Sequence, residues 1–188
     1  MGFQAGTAVI NRVHARYRLA MSFQRLELDG YHQATARAYS SLFQVFLTYS
    51  AFEQFLNLYR LRFFEVDIHF TQHPYTESAQ FIRSSDPRAK LLDFLTTELD
   101  SPAHKNRVLE FKQGNNHNPV VIAAALRHLF AHGKMGPHAN KSYPAAIEKI
   151  TAHLSQLLVQ IMDIEFERTL HTFCEQHGLY QEDLPING

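Results

Sequence analysis

The sequence has little of several features that would point to particular protein classes. It holds one cysteine, Cys174, among 188 residues, which excludes an internal disulfide and is typical of a reducing compartment. Its longest apolar run, Val120 to Leu126, is far shorter than a membrane span. No secretory signal is visible, because arginines interrupt the apolar pattern of the first helix. These absences predict a cytoplasmic protein that does not enter a membrane.

Glycine-rich and metal-binding motifs are also missing. The chain has no glycine-rich phosphate loop, no Gly-x-Gly-x-x-Gly and no His-Glu-x-x-His, which excludes the nucleotide-loop and zincin classes, and we predict no cofactor. With 18 basic and 18 acidic residues, the net charge is zero and gives no overall attraction for nucleic acid. The charge is nevertheless uneven, since residues 1–26 contain arginines and no acidic residue. This segment either faces a phosphate backbone or is a solvated helix face.

What the sequence does contain is a helical pattern along most of its length. Apolar residues recur at three- and four-residue steps, while strand signals are nearly absent. The pattern predicts one all-α domain over residues 1–188, a helical bundle of four or five main helices with two short inserted helices. Residues 66–70 are compatible with a brief extended piece. The predicted helices span residues 7–28, 32–64, 87–99, 102–112, 118–133 and 142–178.

The stretch from Asn118 to Gly133 has both helix ends marked. Asn118 can cap the first turn, and Gly133 can take the left-handed conformation that closes a helix. Between them the only polar side chains are Arg127, His128 and His132. An apolar helix with polar groups only in its last two turns predicts a buried helix that presents a site at its end.

Histidine is abundant, with 12 residues, so a metal site has to be considered. His128 and His132 stand four apart and share a helix face, as a chelating pair would. His69 and His73 have the same spacing, but a doubtful helix weakens that pair. No Glu-x-x-His constellation supplies further ligands from another helix. We therefore predict no metal ligand and keep a His-liganded bundle as a third option for function.

Arg127 and His132 also form an Arg-x4-His pattern, with the polar His128 directly after the arginine. This resembles the motif of the HEPN superfamily, small all-helical proteins many of which are ribonucleases. Two other Arg–His pairs have a comparable spacing, but neither lies at the closed end of an apolar helix. The resemblance covers roughly residues 39–64 and 118–175, and it leaves the segment between them as an insertion.

The resemblance implies a metal-independent endoribonuclease of toxin or phage-defence type. Its partners would be RNA, a second copy of the chain in a homodimer and a cognate antitoxin protein. Arg127 and His132 would be catalytic at the dimer interface and would give a 2′,3′-cyclic phosphate. His128 and Lys134, which stands where some relatives carry a tyrosine, would contact RNA or phosphate. The alternative is a catalytically silent bundle of the same type that binds RNA, a nucleotide or a partner protein.

Glu53 and Asn57 complete the set of candidate site residues. Glu53 lies in a strongly apolar stretch of the second helix, and a carboxylate in such surroundings needs a partner. That partner is either Arg127 or an arginine of the first helix, and the pair either orients the site or holds the bundle. Asn57 stands four residues further on and shares the face of Glu53.

Overall fold

Helices account for the fold between residues 7 and 176, which are the residues that this computed structural model describes. Within this range no strand forms, so the all-α prediction is confirmed. No helix in it combines the length and hydropathy of a membrane span. The helices are α1 (Thr7–Ser22), α2 (Gln33–Tyr59), α3 (Val66–His69), α4 (Tyr75–Ser85), α5 (Lys90–Glu98), α6 (Pro102–Gln113), α7 (Val120–Ala131) and α8 (Pro144–Gln176), with a 3-10 turn at Ala139–Lys141.

The two longest helices, α2 and α8, form the centre of the bundle and pack along each other. Leu42, Val45 and Phe52 of α2 are fully buried, and so are Leu154 and Leu158 of α8. These positions repeat at three- to four-residue steps, which places them on one face of each helix. Burying one such side chain contributes about 1.5–3 kcal/mol to stability. Helices α1 and α7 pack against other faces of α2.

Helix α7 is the most completely buried element. Every residue from Val120 to Leu126, together with Leu129, is buried, because α2, α5, α6 and α8 all contact this helix. An amphipathic stripe would not suffice in that position, which explains why the helix is apolar around its whole circumference. Exposure returns only at its C-terminal end, from Ala131 onward.

Helix α2 ends earlier than predicted, at Tyr59 instead of near residue 64. Arg60 adopts a left-handed conformation with φ 56° and ψ 34°, and its N–H donates to the carbonyl of Asn57 at 3.4 Å. The N–H of Leu61 donates to the carbonyl of Leu56 at 3.1 Å. These bonds close the helix in the way that glycine usually does. The apolar sequence pattern continues past Tyr59 because Leu61, which follows the helix, is also buried.

The inserted segment contains two helices that were not predicted. Residues 66–70 are not extended: α3 forms there as a single turn, and Glu65 accepts backbone hydrogen bonds from Ile68 and His69. Helix α4 was missed altogether. Its buried residues include Ala79 and Ile82, and it packs against α8. The segment therefore carries four short helices where the sequence predicted two.

The two predicted inserted helices are present with shifted ends. Helix α5 begins at Lys90 and not at residue 87, because the Asp86 carboxylate accepts hydrogen bonds from the N–H groups of Leu91 and Leu92 at 2.9 and 3.0 Å. Helix α6 begins at residue 102 as predicted, with the Ser101 hydroxyl accepting from the N–H of His104 at 3.4 Å.

The C-terminal end of the first helix also differs from the prediction. Helix α1 stops at Ser22 instead of near residue 28, and Phe23 then packs on Phe43 with ring centroids 5.3 Å apart. The Leu26 N–H donates to the Ser40 hydroxyl at 3.0 Å, which holds the connecting segment against α2. The predicted end of the last helix at residue 178 lies outside the described residues.

Candidate functional site

The C-terminal end of α7 has the closed geometry that its sequence predicts. His132 follows the helix as its cap, and Gly133 is left-handed with φ 68°. The Gly133 N–H donates to the Phe130 carbonyl at 3.0 Å, and the Lys134 N–H donates to the Leu129 carbonyl at 2.9 Å. These two bonds form a Schellman motif, which satisfies carbonyls that a helix end otherwise leaves open. The motif fixes the backbone that carries the candidate side chains.

Arg127 lies at the contact between α7 and α2, where it pairs with Glu53. Its Nη2 atom donates to Glu53 Oε2 at 3.4 Å, and the two side chains are 31% and 43% exposed. The structure thus selects one of the two partners that the sequence left open for Glu53. The Nε atom of Arg127 is buried and has no hydrogen-bond partner among the described residues. Arg127 therefore presents only part of its guanidinium group to solvent.

A buried tyrosine lies beside this ion pair. Tyr49 is 4% exposed, and burial raises the pKa of its hydroxyl, with the Glu53 charge adding to the rise and the Arg127 charge opposing it. The phenol therefore stays protonated at neutral pH. It supplies a neutral, low-dielectric wall next to the carboxylate and the guanidinium group.

His128 and His132 lie side by side at the helix end, with ring centroids 4.5 Å apart and an interplanar angle of 54°. Partial burial lowers the pKa of His128, and the charge of His132 lowers it further, while Asp100 opposes both effects. His132 itself is exposed. The structure thus brings the two predicted histidines together on a surface that a ligand can reach.

Lys134 and Asn57 are the remaining predicted site residues. The Lys134 ammonium group lies 3.2 and 3.1 Å from the two Asp100 carboxylate oxygens, so its charge is already partnered. The hydrogen bond from Lys134 lowers the pKa of Asp100, and the Lys134 charge lowers it further. Asn57 is exposed on α2, and none of its side-chain atoms hydrogen bonds within the part of the chain that the structure describes.

The metal option gains no support from the arrangement of ligands. Among residues 7–176 no group of three or more His, Cys, Asp or Glu side chains is placed to hold a metal ion. The second histidine pair, His69 and His73, does not form a joint site either. His69 is exposed, whereas the ring of His73 is buried and its Nε2 lies 2.9 Å from Glu165 Oε1.

Two residues near the site were not found by sequence reasoning, namely Asp100 and His104. Asp100 interacts electrostatically with Lys134 and His128, and His104 Nε2 lies 3.3 Å from the Val121 carbonyl in the first turn of α7. Both belong to the α5–α6 region, which the sequence predicted only as an insertion. Their sequence signal was local, since Asp100 directly precedes a Ser-Pro helix start.

Comparison of the chain with protein-family models, with curated proteins and with solved structures finds no match. The site contains one partly exposed guanidinium group, two adjacent imidazoles and one ammonium–carboxylate pair at the end of a buried helix.

Proposed function

We propose that the protein is a metal-independent endoribonuclease whose catalytic residues are Arg127 and His132 of two protomers. The observation that supports the proposal is that Arg127 and His132 both lie in the C-terminal part of α7 and its cap. Glu53 holds Arg127 by one nitrogen, and His132 is exposed next to His128 at the closed helix end. Guanidinium and imidazole groups can cleave RNA without a metal, because the first stabilises phosphate charge and the second transfers protons.

Each residue has a defined role in the proposed reaction. An imidazole takes the proton of the ribose 2′-OH, and the 2′-oxygen attacks the adjacent phosphorus. The bond from phosphorus to the 5′-oxygen breaks, and a second imidazole donates a proton to that leaving oxygen. Arg127 contacts the phosphate oxygens and stabilises their charge in the transition state. The products are a 2′,3′-cyclic phosphate and a free 5′-hydroxyl.

Two copies of the chain are needed because one helix does not direct both groups to one atom. Five residues of α-helix turn Arg127 away from His132 by about 140° and separate them by about 7–8 Å. A homodimer with its two-fold axis at the end of α7 provides two arginines and two histidines around one phosphodiester. We further propose that the dimer acts in the cytoplasm in a toxin–antitoxin or phage-defence system, where a cognate antitoxin protein restrains it.

A second candidate is supported by the ion pairs at the site. Arg127 is bonded to Glu53 and has a buried Nε, and Lys134 is bonded to Asp100. Both cations thus have intramolecular partners, as in a bundle that binds RNA, a nucleotide or a partner protein without reaction. In this case the two pairs stabilise helix packing, and His132 has no catalytic role.

Cleavage of labelled RNA in EDTA separates the two candidates. Wild-type protein is expected to cut the RNA, and mass spectrometry of the product is expected to show a 2′,3′-cyclic phosphate. His132→Ala should reduce the rate by about 100-fold or more, since general acid–base groups contribute about 10²–10⁴-fold. His14→Ala is the matched control, because it removes an exposed histidine of α1.

The oligomeric state and the fold of each variant complete the test. Light scattering should show a dimer, and circular dichroism should show that His132→Ala keeps the helical signal of the wild type. Arg127→Lys keeps the charge but loses the planar fork, so it should also cut slowly. A wild-type dimer that leaves single-stranded and folded RNAs intact in EDTA would rule out the nuclease and favour the silent bundle.

A further inference from the structure

Two arginines and one phenylalanine form a second cluster, which we call the arginine–phenylalanine cluster: Arg62, Phe64 and Arg107. The Cζ atom of Arg107, on α6, lies 3.9 Å from the centroid of the Phe64 ring, and that of Arg62 lies 5.8 Å from it. Phe64 follows α2 in the chain and is half-buried. The cluster thus joins the segment after α2 to the inserted helices.

The two guanidinium groups of this cluster are not neutralised. Within residues 7–176, neither Arg62 nor Arg107 forms an ion pair with a carboxylate. Glu65 accepts the backbone N–H of Arg62 at 2.8 Å, and Asp67 accepts a hydrogen bond from the Asn118 side chain at 2.9 Å. Both positive charges are therefore available to an anionic ligand.

Arg107 is held in a geometry suited to stacking. At 3.9 Å its guanidinium group contacts the phenylalanine ring, an attraction worth about 0.5–1 kcal/mol at an exposed site. A guanidinium group stacked by one face keeps its N–H edge for a phosphate and its other face for a base. Phe64 therefore orders Arg107 before a ligand binds, which lowers the entropic cost of binding.

His104 lies between the cluster and the first turn of α7. Its ring lies 5.0 Å from the ring of Phe63, the neighbour of Phe64, and contacts the first turn of α7. Burial lowers the pKa of His104, and the charges of His128 and Arg107 lower it further. His104 thus contacts both the segment that carries Phe64 and the helix that carries His128 and His132.

We propose that the arginine–phenylalanine cluster binds single-stranded RNA and leads it past His104 to His128 and His132. That the RNA runs toward His128 and His132 depends on the function proposed above, but the binding of RNA to the cluster does not. Single strands are recognised by bases stacked on aromatic or guanidinium planes together with basic groups that contact the backbone. A duplex keeps its bases paired and stacked, so it cannot use the flat surface of Arg107.

Fluorescence anisotropy with a labelled single-stranded RNA tests the proposal. The measurement is made on His132→Ala protein, so that cleavage does not consume the ligand. Adding Arg107→Ala should weaken binding about tenfold, since one stacked base is worth about 1–3 kcal/mol. It should also reduce the dependence of log K on log salt by about 0.7, the value for one phosphate contact to a single strand.

Matched variants separate stacking from charge. Arg107→Lys keeps the charge and should still weaken binding severalfold, because an ammonium group does not stack. Arg88→Ala removes an exposed arginine between α4 and α5 and should leave affinity unchanged. A duplex of the same sequence should bind at least tenfold more weakly. Arg18→Ala tests the rival basic surface on α1 and should have no effect.

The outcomes distinguish this inference from the proposed nuclease. The inference is wrong if Arg107→Ala binds like Arg88→Ala, if duplex and single strand bind equally, or if Arg18→Ala weakens binding as much as Arg107→Ala. Cleavage by the wild type with unchanged binding by Arg107→Ala would overturn the cluster alone. Binding that depends on Arg107, in a protein that never cuts RNA, would overturn the nuclease alone. Circular dichroism confirms that each variant is folded.

Discussion

The buried pair of His73 and Glu165 gives the sharpest test of how the inserted segment is attached to the bundle. His73 precedes α4, Glu165 lies on α8, and both side chains are 1% exposed. Since a carboxylate only accepts, His73 Nε2 must donate to Glu165 Oε1 at 2.9 Å. Arg168 Nη2 contacts the other carboxylate oxygen at 2.5 Å, without the alignment of a hydrogen bond. The perturbation is Glu165→Ala.

The magnitude follows from what the substitution leaves behind. It leaves the Nε2–H of His73 buried without an acceptor, which costs about 1–3 kcal/mol. It also removes a buried methylene group, which costs about 0.8 kcal/mol. The Arg168 side chain is half exposed, so the loss of its ion pair adds about 0–1 kcal/mol. The free energy of unfolding should therefore fall by about 3 kcal/mol, a large part of the usual total of about 5–15 kcal/mol.

Urea denaturation followed by circular dichroism at neutral pH measures this loss. With an m-value of about 2 kcal/mol/M, the midpoint should fall by about 1.5 M. Glu167→Ala removes an exposed glutamate of the same helix and should shift stability by less than about 0.5 kcal/mol. A cycle with His73→Ala should give a coupling energy above about 1 kcal/mol. If Glu165→Ala unfolds at the midpoint of Glu167→Ala, the buried pair does not hold α4 to α8.

Two further predictions follow from the start and the end of α7. Asn118→Ala should lower the free energy of unfolding by about 2 kcal/mol in the same urea assay. Asn118 is 1% exposed, and its side chain accepts from the N–H of Val120 and donates to the Phe63 carbonyl and the Asp67 carboxylate. Proton NMR should show a pKa below the ordinary range for His128, and His132→Ala should raise it. As the pH falls, His128 is protonated in the unfolded state before it is protonated in the folded state. The stability that His128 contributes is therefore present above about pH 6.5 and is lost as the pH falls below it. An unchanged His128 pKa in His132→Ala would contradict the electrostatic coupling of the two histidines.

The ends of α7 could be predicted because their signals are local. The Asn118 side chain accepts the N–H of Val120 at 3.0 Å, and Gly133 has the positive φ expected of it. Both signals depend on residues within a few positions of the helix end, so the sequence contains all the information needed. The apolar faces of α2 and α8 were predictable for a similar reason, since a repeat of three to four residues is visible without any knowledge of the partner helix.

The end of α2 and the existence of α4 depended on tertiary structure. Nothing in Arg60 indicates a left-handed conformation, which residues other than glycine seldom adopt. Helix α4 has only 11 residues, and two of its four regularly spaced buried positions are the small residues Ser78 and Ala79. So short a helix with two large buried side chains is a weak sequence signal, and its contact with α8 stabilises it.

The candidate site could be predicted only in part, for the same physical reason. Arg127 and His132 were found because they share one helix, and Glu53 was found because a carboxylate in an apolar stretch needs a partner. The pairing of Lys134 with Asp100 joins residues 34 positions apart, and the stacking of Arg107 on Phe64 joins α6 to the segment after α2. These contacts depend on how the inserted helices fold back, which residue spacing does not encode.

The energetics of Arg127 bear on why an arginine occupies this position. Its ion pair with Glu53 is about one-third to one-half exposed, and pairs of this kind contribute about 0–1 kcal/mol. Its buried Nε has no hydrogen-bond partner among residues 7–176, and an unsatisfied buried donor costs about 1–3 kcal/mol. The net contribution of its polar groups to stability is therefore close to zero or unfavourable. The ion pair with Glu53 therefore does not by itself explain why an arginine occupies this position.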